Sequence, residues 1–168
     1  QSSTWSLPSA AMSEPAGIDV VNVSAWLDAH LDAQLDAQPV AVNAAPRGPY
    51  TFELIAGGHS NLTYRVTDAA GRKVVLRRPP LSHRLASAHD MGREHRIISG
   101  LQQSAVPVAP ALGFCDDTSV NGSPFYVMGH VDAVVVDNPD TAQRALPDPA
   151  VRRHAGEQIV DVMAAMHL

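Results

Sequence analysis

Residues 50–80, YTFELIAGGHSNLTYRVTDAAGRKVVLRRPP, decide how this chain folds. Three runs rich in β-branched and aromatic residues, Tyr50 to Ala56, Leu62 to Thr67 and Lys73 to Arg77, are separated by stretches that contain glycine. Such runs suit a pleated, half-buried surface. Asp68 to Gly71 is turn chemistry, because a short polar side chain and a glycine reverse a chain at little steric cost. Pro79-Pro80 closes the third run. Connections this short allow only antiparallel pairing, since parallel neighbours need a crossover of about a dozen residues. The reading predicts a three-stranded meander. It argues against a parallel dinucleotide-binding sheet, which would place helices between the strands.

Outward from this segment the pattern becomes helical. Ser87 with Asp90 three residues on resembles a capping box, and Met91, Ile97, Ile98 and Leu101 then mark a buried stripe. Val108 to Cys115 and Phe125 to Val131 read as two further strands, joined through Asn121-Gly122, a hairpin-turn pair. Upstream, residues 18–36 predict an amphipathic helix capped by Ser24, with Val23, Trp26, Leu27, Leu31 and Leu35 on one face. Downstream, Asp148-Pro149 caps and opens a last helix carrying Val151, Ala155, Ile159, Val162, Met163 and Met166. The fold expected is α+β: a five-stranded antiparallel sheet with one long packed helix, an N-terminal helix outside it and a C-terminal helix. The expected organisation is a flexible tail or expression remnant over 1–17, a helix and linker over 18–49, the sheet lobe over 50–132, and a linker and helix over 133–168. Met12 is a candidate native start.

Bulk properties narrow the classes. The 168 residues are 45% apolar and 17% charged, which is globular rather than disordered. No apolar run approaches the ~20 residues that cross a bilayer, and the start lacks the pattern of a secretory signal. The single cysteine, Cys115, excludes an internal disulfide, so a reducing, cytoplasmic location is expected. The net charge is −5, yet residues 65–96 hold eight cationic residues against three acidic ones. That excess reads either as a solvated basic face or as an anion site. The remaining acidity argues against a nucleic-acid surface.

Candidate chemistry starts at Gly57-Gly58-His59-Ser60-Asn61. Adjacent glycines bring backbone N–H groups close to a ligand, and such amides suit phosphate oxygens. A plain Gly-Gly hairpin turn is the alternative. Arg77 ends the third strand, where it is either aimed at those phosphates or exposed on an edge, and Arg78 beside it reads as the surface residue of the two. Glu94 either faces the sheet to orient Arg77 through a charge-assisted pair, or pairs on the helix surface with Arg93 or Arg96. The spacing of His83, His89 and His95 does not suit a zinc site on a helix. Ser60 with His59 is not a nucleophile pair, and Cys115, beside two aspartates, has a raised thiol pKa. No metal site and no catalytic residue is assigned.

Four blocks now fall into one order: Gly-Gly-His-Ser-Asn-Leu-Thr-Tyr from 57, Val-Leu-Arg-Arg-Pro-Pro from 75, Arg-Glu-His-Arg from 93 and Pro-Phe-Tyr-Val-Met from 124. Together they resemble the N-terminal lobe of the aminoglycoside-phosphotransferase family, over roughly residues 50–168. The likeness is to the branch similar to the kinase-like domains fused to some acyl-CoA dehydrogenases. The resemblance implies a protein-kinase-like N-lobe in which Gly57, Gly58, His59, Ser60 and Asn61 cover the phosphates of a nucleotide. Arg77 stands for the strand lysine that touches phosphate, with Glu94 as its helix partner. Met128, Gly129, His130 and Val131 form the hinge that meets the adenine edge. Arg77 in place of lysine, and Gly129 and His130 in the hinge, depart from the wider pattern.

The family's His-Gly-Asp catalytic loop and its magnesium ligand are not found in these residues. His130-Val131-Asp132 follows a strand and lacks the downstream asparagine, so it does not qualify. The resemblance therefore implies the nucleotide-binding lobe of an ATP- or GTP-dependent, Mg2+-requiring phosphotransferase acting on a small-molecule hydroxyl, with the catalytic lobe outside this chain. The alternative is a non-catalytic kinase-like docking or oligomerisation module, with a homodimer through the exposed lobe face.

Overall fold

The structure, a computed structural model, describes residues 14–35, 47–56, 61–81 and 90–167. Five strands, β1 (Thr51–Ala56), β2 (Leu62–Thr67), β3 (Lys73–Arg78), β4 (Ala111–Cys115) and β5 (Phe125–Gly129), form one sheet in the order β1-β2-β3-β5-β4. Every pairing is antiparallel. Around the sheet lie α1 (Val20–Leu35), α2 (Met91–Leu101), α3 (Thr118–Asn121), α4 (Pro139–Ala145) and α5 (Pro149–Ala165). The expected α+β architecture is therefore present, with a shorter packed helix than anticipated.

Alternation along the strands assigns the two faces. Leu62, Tyr64 and Val66 of β2, Val74 and Leu76 of β3, and Phe125 and Val127 of β5 are buried in one cluster with Val23, Trp26, Leu27 and Leu31 of α1. The first helix is thus packed on the sheet through its apolar face and supplies four of the fifteen residues of this core cluster. Trp26 meets the ring of Phe125 edge-on at 5.0 Å and lies over Gly113. A Cβ at residue 113 would come 2.9 Å from the indole, so only glycine admits this packing. The opposite face carries Thr63, Arg77, Tyr126 and Phe114, and α2 lies against β4 and β5 there.

Several local expectations need correction. The cap of α1 is Asp19, whose carboxylate accepts from Asn22 N at 3.0 Å, while Ser24 lies inside the helix. Both residue types cap, and the carboxylate five residues earlier takes the role. The cap of α2 is Asp90, which accepts from Arg93 N at 2.9 Å; Ser87 lies outside the described residues. Glu94 consequently sits in the first turn of α2, four residues after the cap rather than the seven that a cap at Ser87 would give. Met91 is buried but Ile97 is 54% exposed, so the stripe is narrower than the spacing implied. Asn121-Gly122 is not a hairpin turn: it closes α3, with Gly122 at φ 68°, a left-handed value suited to glycine. Arg78 is not on the surface but 6% exposed, because strand alternation turns it toward α1.

The last helix does open at Asp148, whose carboxylate accepts from Ala150 N at 2.8 Å. No residue of α4 or α5 is buried. No helix among the described residues is long and apolar enough to cross a membrane.

Candidate functional site

Register brings the site together. Thr63 of β2 pairs with Arg77 of β3, Arg77 with Tyr126 of β5, and Tyr126 with Phe114 of β4. These four side chains form a row across the sheet on the α2 face. Asp90 starts the helix so that Glu94, one turn in, stands over the middle of that row.

Glu94 is a hub. Its Oε1 accepts from Asn61 Nδ2 at 2.7 Å, and its Oε2 accepts from the Tyr126 hydroxyl at 3.1 Å. Arg77 Nε lies 3.0 Å from the same Oε2, an ion-pair distance at which the N–H is not aligned for a hydrogen bond. The side chains of Arg77 and Glu94 are 34% and 28% exposed, so the pair is shielded yet reachable from solvent. The contact is made through Nε, and among the described residues no ion pair engages the two η nitrogens, which as donors suit an anion. Burial and the adjacent Glu94 charge push the Tyr126 phenol up to about 12, so it stays a proton donor to the carboxylate at neutral pH.

His95, next in the helix, stacks on Phe114 at 5.5 Å and lies 6.2 Å from the Tyr126 ring. Burial holds its pKa below the usual histidine value. Thr63 is 7% exposed, and among the described residues its Oγ1 has no hydrogen-bond partner. The sequence reading did not assign Tyr126, His95 or Thr63 to the site. All three lay within the quoted blocks, but only the strand register shows that Thr63 and Tyr126 share a row with Arg77, and only the packing of α2 brings His95 over it.

The other expected site residues divide. Arg77, Glu94 and Asn61 meet. Asn61 is only 5% exposed and is committed to Glu94, which makes it a strut for the carboxylate. Gly57, Gly58, His59 and Ser60 lie outside the described residues. Met128 and Gly129 end β5, where Gly129 N donates to Pro110 O at 2.8 Å, whereas His130 and Val131 lie past the strand. His130 Nδ1 is 3.7 Å from the exposed Asp132 carboxylate. The Cys115 thiol is pushed up mainly by burial, with smaller contributions from Asp117 and Asp116. Among the described residues no group of three or more His, Cys, Asp or Glu side chains could hold a metal ion.

The family model of the phosphotransferase enzyme family matches residues 51–168, the portion that holds the sheet, α2 and both C-terminal helices. The chain belongs to this family. The phosphotransferase fold is also found in the crystal structure of a putative aminoglycoside phosphotransferase from Ralstonia eutropha, which superposes with a TM-score of 0.61 at 30% identity. That match covers 89% of this chain and 38% of the other. Acyl-CoA dehydrogenase family member 10 of Mus musculus is 38% identical over 92 residues, 55% of this chain and 8% of that protein. Acyl-CoA dehydrogenase family member 11 of Gallus gallus is 36% identical over 86 residues, 51% of this chain and 11% of that protein. This member of the phosphotransferase enzyme family thus spans a small part of the length of the curated relatives it matches.

Proposed function

We propose that this chain is the nucleotide-binding lobe of a phosphotransferase that uses ATP or GTP with Mg2+ and acts on a hydroxyl of a small molecule. The observation that carries the reading is the Arg77–Glu94 pair, braced by Asn61 and Tyr126 and set near the end of β3. A bound nucleotide supplies the transferable γ-phosphoryl group, and the metal neutralises its charge. In the proposal the residues of this chain bind and orient. Arg77 presents its η nitrogens to phosphate oxygens, and Glu94 holds the guanidinium in place. Gly57, Gly58, His59 and Ser60 cover the phosphates with backbone N–H groups, and Met128 to Val131 border the base. The general base and metal ligands are assigned to a part of the parent protein outside these 168 residues, since no His-Gly-Asp segment occurs here. The location is proposed to be cytoplasmic.

The test is thermal unfolding with Mg2+ and ATP or GTP. A ligand at about 100 times its dissociation constant adds roughly 2.7 kcal/mol of stability. The wild-type melting temperature is expected to rise with nucleotide, and Arg77→Ala is expected to lose that rise while its nucleotide-free melting temperature changes little. A rise that persists in Arg77→Ala refutes the assignment.

A docking or oligomerisation module is the second reading. It is favoured by the exposure of Val134, Val135, Ile159, Val160 and Met163, at 70%, 76%, 63%, 64% and 56%. Apolar groups at this density seek a partner surface. This reading predicts a dimer in sedimentation and no nucleotide-dependent shift.

A further inference from the structure

The sheet face opposite the Arg77–Glu94 pair opens into a second cleft, of about 740 Å³, between residues 14–21, the end of β3 and the end of α3. Two buried donors line it. Arg78, 6% exposed, donates from Nη1 to Gly17 O and from Nε to Pro79 O at 3.1 Å. Among the described residues no carboxylate lies within ion-pair distance of this guanidinium, and burial alone pulls its pKa down. A buried charge without a counter-ion is costly and uncommon.

Asn121 is the second donor, 5% exposed. Its amide orientation is fixed, because Asp19 N donates to Oδ1 at 2.9 Å and requires an acceptor there. Nδ2 is therefore the other atom, and among the described residues it is buried with no partner. The walls beside these donors are apolar, from Ile18, Val20 and Leu81.

We propose that this cleft binds a small organic carboxylate with a short aliphatic body. The Arg78 N–H groups not taken by Gly17 and Pro79 suit a carboxylate, the neighbouring Asn121 amide offers a neutral donor once a ligand is seated, and the apolar walls take the chain. A doubly charged anion such as phosphate fits less well, because Glu14 and Asp19 also border the cleft. The Asp19 carboxylate is already occupied by Asn22 N and Nδ2 at 3.0 and 2.9 Å. Arg78 points away from Arg77 by strand alternation, so this site is separate from the nucleotide site.

The experiment is an NMR titration of the chain with hexanoate, with inorganic phosphate and ATP as competitors. Saturable binding of hexanoate is expected, displaced by neither competitor. Asn121→Asp keeps the acceptor for Asp19 N and replaces the free donor by an anionic oxygen, so it is expected to weaken hexanoate by about tenfold or more while the ligand-free melting temperature is kept. Glu14→Gln is expected to bind hexanoate at least as tightly as wild type. The proposal is overturned if the wild type shows no saturable binding, if Asn121→Asp binds equally well, or if phosphate displaces hexanoate. It is also overturned if Glu14→Gln lowers the ligand-free melting temperature, which would make Glu14 the counter-ion of Arg78 in solution. Should Asn121→Asp fail to fold, the wild-type titration and Glu14→Gln decide the matter.

Discussion

Arg77 and Arg78 are neighbours in β3 and occupy opposite surroundings. Arg77 turns to the α2 face, where Glu94 answers its charge from 3.0 Å and a third of its side chain still meets water. Arg78 turns to the α1 face, is 6% exposed and relies on the carbonyls of Gly17 and Pro79. The contrast extends to whole faces. One is covered by the 16-residue α1 over a continuous aromatic and aliphatic cluster; the other by the 11-residue α2 over a polar network. Stability should therefore reside mainly on the α1 side, and ligand response on the α2 side.

The largest test of that division uses one phenylalanine from each face. Phe125 is 0% exposed and meets Trp26, whereas Phe114 is half-buried under His95. Phe125→Ala is expected to cost about 3–5 kcal/mol, as for a fully buried aromatic. Phe114→Ala should cost about 1–2 kcal/mol, in proportion to the smaller apolar area it buries. Urea denaturation reads both. Equal losses would break the comparison, because the α2 face would then carry as much of the core.

The same two arginines show how far local sequence reaches. The strands were legible because β-branched runs and turn residues act over a few positions, and the Arg77–Glu94 pairing follows the quoted blocks. Arg78 was misread because its burial depends on α1 packing on that face, a contact between residues far apart in the chain. Tyr126 joined the site only through its register with Arg77, which is likewise non-local. Asn121-Gly122 misled for another reason: a left-handed glycine serves a hairpin turn and a helix end equally well, and Asp117 tips the choice by accepting from Ser119 N at 2.9 Å. Gly57 to Ser60 fall outside the described residues, so their part in the site rests on the sequence.

A smaller effect should appear with pH, and on the α2 face. His95 has its pKa lowered by burial, so the unfolded chain binds a proton more readily than the folded one. Stability is then full above the unfolded histidine value of about 6.5 and falls as pH drops through it toward the folded value. His95→Phe keeps the stacking on Phe114 and removes the titration. Urea midpoints measured at about pH 8 and about pH 5.5 should converge in His95→Phe relative to wild type. An unchanged pH dependence would remove His95 from the account.

The smallest expected effect separates two Arg–Glu pairs on one sheet. Arg65 of β2 contacts Glu53 of β1, directly across the register, as Arg77 contacts Glu94. The Glu53 side chain is 62% exposed, however, and among the described residues no other hydrogen bond holds it. An exposed pair gains little in water, because solvent screens the attraction and two long side chains lose freedom. Glu53→Gln should change stability by no more than about 0.5 kcal/mol and leave any nucleotide-dependent shift intact. Glu94→Gln keeps its shape but removes the charge that positions Arg77, and is expected to diminish that shift. Matching behaviour of the two variants would mean that proximity to any carboxylate suffices, and that the bracing by Asn61 and Tyr126 contributes nothing to the response.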